Sequence, residues 1–158
     1  MKVCIIAIGQ KMPAWAQTAF EDYAKRMPPE WKFECKALKA EARGSTSTAK
    51  IMQAEAERIS QAIHSLGKEV FVIALDERGK AASTQALAQL VAEKQSAGCH
   101  LAFLIGGADG LDPSLKQNAH ALMRLSDLTL PHAMARVLLT EQLYRAWSLS
   151  AKHPYHRE

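Results

Sequence analysis

The stretch LAFLIGGADGLD, Leu101 to Asp112, decides how this chain is read. Five apolar residues, Leu101–Ile105, run unbroken into Gly106-Gly107, and a third glycine follows at Gly110. A short continuous apolar run suits a strand buried on both faces, which is the mark of a parallel sheet covered by helices. In open α/β sheets ligands bind beyond the carboxyl ends of the strands, and this loop is bare of side chains at such an end.

Similar signals lie on either side. VFVIAL, Val70 to Leu75, is a second buried strand. Val3 to Ile8 reads as a first strand and Phe33 to Leu38 as a weaker one. Helical patterns alternate with them: Pro13 to about Met27, Ala49 to Leu66 before Gly67, and Ser83 or Thr84 to Ala97 before Gly98. Pro113 is expected to open a short helix to about Met123. Leu125 to Leu130 is expected as a short strand or extended loop, and Ala133 to Ala151 as the last helix. The alternation predicts one α/β domain with a mostly parallel sheet and helices on both faces.

The chain of 158 residues is 48% hydrophobic, enough for a real core. No apolar run is long enough to span a bilayer, and MKVCIIAIGQ reads as a strand rather than a signal peptide. Cys4, Cys35 and Cys99 lie far apart, which implies reduced thiols and a cytoplasmic location. The net charge is +4. Tyr23 to Lys50 alone carries seven Lys/Arg against three acids, and a local basic excess suits a polyanion such as nucleic acid as well as a solvated surface.

IGGADG has neither the GxGxxG spacing of dinucleotide folds nor a following Lys-Ser/Thr. A tight turn that needs positive φ is an equal reading of its glycines. More residues carry information further along. LTLPH, EQLYRAW and the terminal PYHR follow LIGGxxG, while IAIGQKMPAWAQTAFEDYAKRMP and LDERGK precede it. Together they resemble the RlmH family, small SPOUT-class methyltransferases that act on pseudouridine in large-subunit (23S) ribosomal RNA. The likeness covers the full chain. Lys152 departs from it, standing where glycine or asparagine is expected, and the Lys39 to Thr48 loop is variable.

The resemblance implies a C-terminal trefoil knot over about 70–158. It implies S-adenosylmethionine as cofactor, held by Leu75, Gly106, Gly107 and the run Leu125, Ser126, Asp127, Leu128, Thr129, Leu130. It also implies a homodimer acting at N3 of the pseudouridine on assembled ribosomes, one subunit's tail completing the other's pocket. N3 carries an imide proton, so cationic groups that stabilise the anion would promote reaction. Arg157, with His156 and Tyr155, is assigned that catalytic role; His132, Arg136, Arg145 and His153 are further candidates. No metal is expected, since HPYH offers no third ligand. The alternatives are a nucleotide-dependent enzyme of another type, such as a reductase, and a non-catalytic RNA- or ribosome-binding module.

Overall fold

A computed structural model of the protein describes residues 1–157, and side chains for residues 1–156. Five parallel strands form one sheet in the order β2-β1-β4-β3-β5. They are β1 (Lys2–Ile8), β2 (Lys32–Leu38), β3 (Val70–Ala81), β4 (His100–Ile105) and β5 (Ala121–Arg124). The helices are α1 (Ala14–Ala24), α2 (Thr48–His64), α3 (Thr84–Ser96), α4 (Pro113–Asn118) and α5 (His132–Ser150), and a 3₁₀ turn at Pro154–Arg157 closes the chain.

Side chains of a strand alternate between faces, and the core divides accordingly. Val3, Ile5, Ala7, Leu101 and Phe103 point to one side, where Leu87 and Val91 of α3 and Leu139 and Leu143 of α5 meet them. Cys4, Ile6, Ile8, Ala102 and Leu104 point to the other, against Ala56 and Ile59 of α2 and Leu115 of α4. β4, the strand of the opening stretch, sits in the middle, and Leu101–Leu104 have no exposed surface.

The helix limits follow local chemistry. The Ser47 and Ser83 hydroxyls accept the N–H groups of Lys50 and Ala86, capping α2 and α3. The Asp112 carboxylate accepts the N–H of Ser114 at the start of α4. Pro13 occupies the cap position of α1 rather than its first turn.

Two expectations need correction. The Pro113 helix does not reach Met123; it stops at Asn118, and the strand is Ala121–Arg124, leaving Leu125–Leu130 as extended loop. β3 does not stop at Leu75 but continues to Ala81. Leu75 and Lys80 both pair with Met123, so residues 76–79 bow out between two contacts with β5. Gly79 permits the return, because a Cβ there would lie 2.7 Å from the Met123 backbone.

Lys152 adopts φ +56° immediately after α5. Glycine and asparagine enter that left-handed region at least cost, which is the physical reason lysine is out of pattern there.

Candidate active site

A cleft of about 830 Å³ opens at the carboxyl ends of β4 and β5, beside the bow of β3, within the range of small-molecule sites. Its floor is the glycine loop. Gly110 has φ +83° and its N–H donates to the Gly107 carbonyl at 3.0 Å. Gly106 is needed for a different reason: a Cβ there would lie 2.5 Å from the Gly110 carbonyl carbon and 2.7 Å from the Leu111 nitrogen. A Cβ on Gly107 would crowd Ile8 and Glu55. The glycines are therefore demanded by the turn itself, and the turn in turn lines the cleft.

The residues expected to hold a methyl donor converge here. Leu75, Gly106, Gly107, Leu125, Ser126, Leu128, Thr129 and Leu130 all line the cleft. Asp127 does not. Its carboxylate faces a side cleft and accepts Arg124 Nε at 2.7 Å. Ile105, Leu111 and Met52 add apolar wall that sequence reasoning did not assign. The Asp76–Lys116 ion pair, at 3.0 Å, lies at the rim. The Arg78 N–H, then the Lys116 ammonium, hold the Asp76 carboxyl below the usual carboxylate range. Across the outer face, Arg43 grips Asp109 with two hydrogen bonds of 2.7 and 3.1 Å, tying the Lys39–Thr48 loop to the glycine turn.

At the start of α5, His132 lines the cleft and binds the Gly106 carbonyl. Its Nε2 lies 2.9 Å from Arg136 Nη2, which donates at 2.8 Å to the Gly9 carbonyl. A guanidinium cannot accept, so Nε2 is the acceptor and His132 is neutral with its proton on Nδ1. Burial, then the Arg136 charge, push the His132 pKa below its ordinary 6.5. Arg136 is only 2% exposed and its Nε has no partner among the described residues. Spacing of four residues puts Arg136, Thr140 and Tyr144 on one face of α5, and that face is buried, not presented to a substrate.

The lowered His132 pKa makes a prediction. The unfolded chain takes up this proton near pH 6.5 and the native chain only at lower pH, so stability falls as pH drops through 6.5. His100, whose pKa burial and then Lys2 also lower, adds to the fall. Melting temperature should decline between about pH 7.5 and 5.5, less steeply in His132→Gln. An equal slope in wild type and variant would contradict the neutral, locked imidazole.

The tail lies elsewhere. Tyr155 packs on Tyr144 and Tyr23 with ring centroids 4.7 and 6.4 Å apart, and donates to Glu141 Oε1 at 2.9 Å. Glu141 also pairs with Arg145 at 2.6 Å, a half-buried contact rather than the open surface pair its spacing suggests. Burial first, then hydrogen bonds with Tyr23 and Glu141, push the Tyr155 phenol up, so it stays protonated. His156 Nδ1 is buried without a partner among the described residues. The Arg157 side chain lies outside the described residues. This assembly packs back on the middle of α5: Glu141 and Tyr144, its partners there, lie 9 and 12 residues beyond His132, about 14 and 18 Å along the helix axis. None of the described tail residues lines this chain's own cleft.

Burial pushes the Cys4 thiol up to about 12, so it is an inert core residue. His100 and His120 accept the N–H groups of Lys2 and Val72 on the sheet. The basic stretch is partly neutralised: Asp22 pairs Lys25 and Arg26, and Glu34 pairs Lys36. Among the described residues no cluster of His, Cys, Asp and Glu could hold a metal, and no helix is long and apolar enough to cross a membrane.

Comparison with known proteins agrees with this architecture. Residues 1–156 match the family described as "Predicted SPOUT methyltransferase". The chain is 58% identical to the "Ribosomal RNA large subunit methyltransferase H" proteins of Variovorax paradoxus and Paracidovorax citrulli, each over 100% of both chains. Identity to the protein of that name from Cupriavidus metallidurans is 55%, over 99% of each chain. Among solved structures, a probable methylase family protein from Haemophilus influenzae superposes with a TM-score of 0.57 at 15% identity, covering 97% of this chain and 69% of that one. A probable methyltransferase from Bordetella pertussis also gives 0.57, at 14% identity over 91% and 95%. These two speak to the fold. Sheet order, glycine turn and full-length identity agree, and the chain belongs to the SPOUT methyltransferase family.

Proposed function

We propose that the protein is a cytoplasmic, homodimeric methyltransferase that uses S-adenosylmethionine to methylate N3 of a pseudouridine in large-subunit ribosomal RNA. The observation that carries this reading is the cleft at the ends of β4 and β5, beside the bow of β3, with all but one of the expected donor-binding residues on its walls. The names of relatives at 54–58% identity supply the substrate class.

The cleft suits the donor. Leu75, Leu125 and Leu130 present aliphatic faces for a purine, and the Gly106–Gly107 and Leu125–Leu130 segments offer main-chain N–H and C=O groups to its polar edge. Bound S-adenosylmethionine supplies an electrophilic methyl group on a sulfonium. The wall is mostly uncharged there, and a site that solvates positive charge poorly does not oppose its loss. Neutral His132 keeps a cation away from that wall and holds the Gly106 carbonyl in place.

N3 of the pseudouridine must lose its proton before it attacks. Cationic and hydrogen-bonding groups beside the ring lower that cost. Arg157 is proposed to stabilise the imide anion, with His156 and Tyr155 beside it; the phenol stays protonated and donates its hydrogen bond to Glu141, so Tyr155 is not the base. Because no described tail residue lines its own chain's cleft, a two-fold pair is the simplest way to bring one subunit's tail to the other's donor. Exposed Trp15 on α1 and Met134 on α5 give such a pair apolar surface to bury.

The trefoil knot over about 70–158 belongs to the same reading. After edge strand β5 the chain begins α5 with Arg136 on the Gly9 carbonyl, and membership of the SPOUT family is what supports the knot. Exposed Lys32, Lys39 and Lys50, without ion pairs among the described residues, are the groups left for an RNA backbone.

The test is transfer of labelled methyl from S-adenosylmethionine to purified ribosomes lacking the modification, followed by nucleoside analysis. The expected product is N3-methylpseudouridine. Ribosome binding without any transfer would favour the non-catalytic module.

A further inference from the structure

A second cleft, about 310 Å³, opens beside the first and shares Arg78, Arg124, Ser126, Leu128 and Thr129 with it. None of its polar groups is needed to build the fold's core. Arg78 is exposed, and its guanidinium has no hydrogen bond or ion pair among the described residues. Arg124 donates through Nε to Asp127 and through Nη1 to the Gly79 carbonyl at 3.0 Å, and its Nη2 has no partner among the described residues.

The frame that carries the two guanidiniums is set before any ligand arrives. The Arg78 N–H is held by Asp76, Asp76 by Lys116, and Gly79 lies flush against the backbone of β5. The opposite lip is held by the Leu128 N–H on Ser126 Oγ at 2.9 Å. That contact leaves Leu128 76% exposed, an apolar side chain of no use to the core. Glu77 and Asp127 share the cleft. Asp127 is 86% exposed on its side chain, so its ion pair with Arg124 is an open surface contact that another oxyanion can replace at little cost.

Two guanidiniums, two hydroxyls and one bare aliphatic lip, abutting the donor cleft, suit a phosphodiester with a base or ribose attached. Guanidinium forks match phosphate oxygens, and an aliphatic face takes the flat side of a base. We infer that this side cleft is the subsite for a backbone phosphate of the RNA strand next to the target nucleotide. In that subsite Arg78 and Arg124 grip the phosphate and Leu128 packs against the adjoining base. Asp127 is a placeholder that the phosphate displaces. The inference rests on the function proposed above and names which part of the RNA the site holds.

The carboxylate of the methionine donor is the other oxyanion within reach, and the two sources are separable. The test compares wild type, Arg78→Ala and Arg78→Lys in steady-state methylation of ribosomes, in calorimetry with S-adenosylhomocysteine, and in sedimentation with ribosomes without donor. For Arg78→Ala the ribosome KM and sedimentation Kd are expected to rise about five- to tenfold. The salt dependence of binding should become shallower by about one unit of slope. The change should fall on KM rather than kcat, the S-adenosylhomocysteine Kd should stay at the wild-type value, and Arg78→Lys should recover part of the loss.

A weakened S-adenosylhomocysteine Kd with unaltered ribosome binding would assign the cleft to the donor carboxylate and overturn the inference. No change in either would overturn it too. Should wild type itself transfer no methyl, the proposed function fails; the sedimentation arm still decides whether the cleft holds RNA phosphate.

Discussion

Alanine at Gly106 should empty the cleft. The new Cβ would sit 2.5 Å from one backbone atom and 2.7 Å from another, both within the glycine turn. No rotamer change relieves a clash between backbone atoms. The turn must open, and Gly110 and Leu111 move with it. Overpacking of this kind costs about 1–3 kcal/mol in stability. The larger consequence is at the site, because the displaced segment is the floor of the donor cleft and Leu111 is one of its walls. S-adenosylhomocysteine affinity is expected to fall at least about tenfold, equivalent to roughly 1.4 kcal/mol. Alanine at Gly44, where an added Cβ meets nothing within 4 Å, is the control and should bind normally. Normal binding by Gly106→Ala would mean that the donor does not use this turn.

The second large effect concerns the tail. His156→Ala/Arg157→Ala keeps Tyr155 and its packing on Tyr144, so the helix end stays in place. Donor affinity should match wild type while the methylation rate falls about 10²–10³-fold, the usual loss when a group stabilising a developing charge is removed. Mixing this variant with Gly106→Ala before dimerisation should restore activity. Half the dimers would be mixed, and each would own one complete site, so about a quarter of the wild-type sites would return. No recovery on mixing, with both parents dimeric, would place tail and cleft of one active site on the same chain. That outcome would contradict a tail that packs on Glu141 and Tyr144 and contributes no described residue to its own cleft.

The parts of the fold that could be read from residues are those where burial alone decides. VFVIAL and LAFLI are apolar on every position because both faces of the sheet are covered. β5 could not be read that way. ALMR is mixed in character, continues a helical pattern from Pro113, and becomes a strand only because β3 lies open beside it. The extension of β3 through DERGKA is likewise a tertiary effect, allowed by Gly79. On α5 the spacing placed Arg136 and Thr140 correctly on one face. Both are polar yet buried, Arg136 because it donates to the Gly9 carbonyl and Thr140 because its hydroxyl donates to the Arg136 carbonyl.

The site was legible where main chain does the work. Loops ending β4 and β5 are marked by glycine and leucine runs, and those runs line the cleft. Asp127 shows the limit: one side chain in the middle of the same loop turns to Arg124 instead, a choice set by the neighbour across the bow. The distance between cleft and tail is a property of the folded helix, and no motif spacing records it.

The most direct measurement of the central claim is calorimetric titration of the intact protein with S-adenosylhomocysteine, alongside NADH and ATP. The account predicts saturable binding of S-adenosylhomocysteine, lost in Gly106→Ala, and no saturable heat from the other two. Silence with S-adenosylhomocysteine, or binding of NADH or ATP in its place, would contradict it.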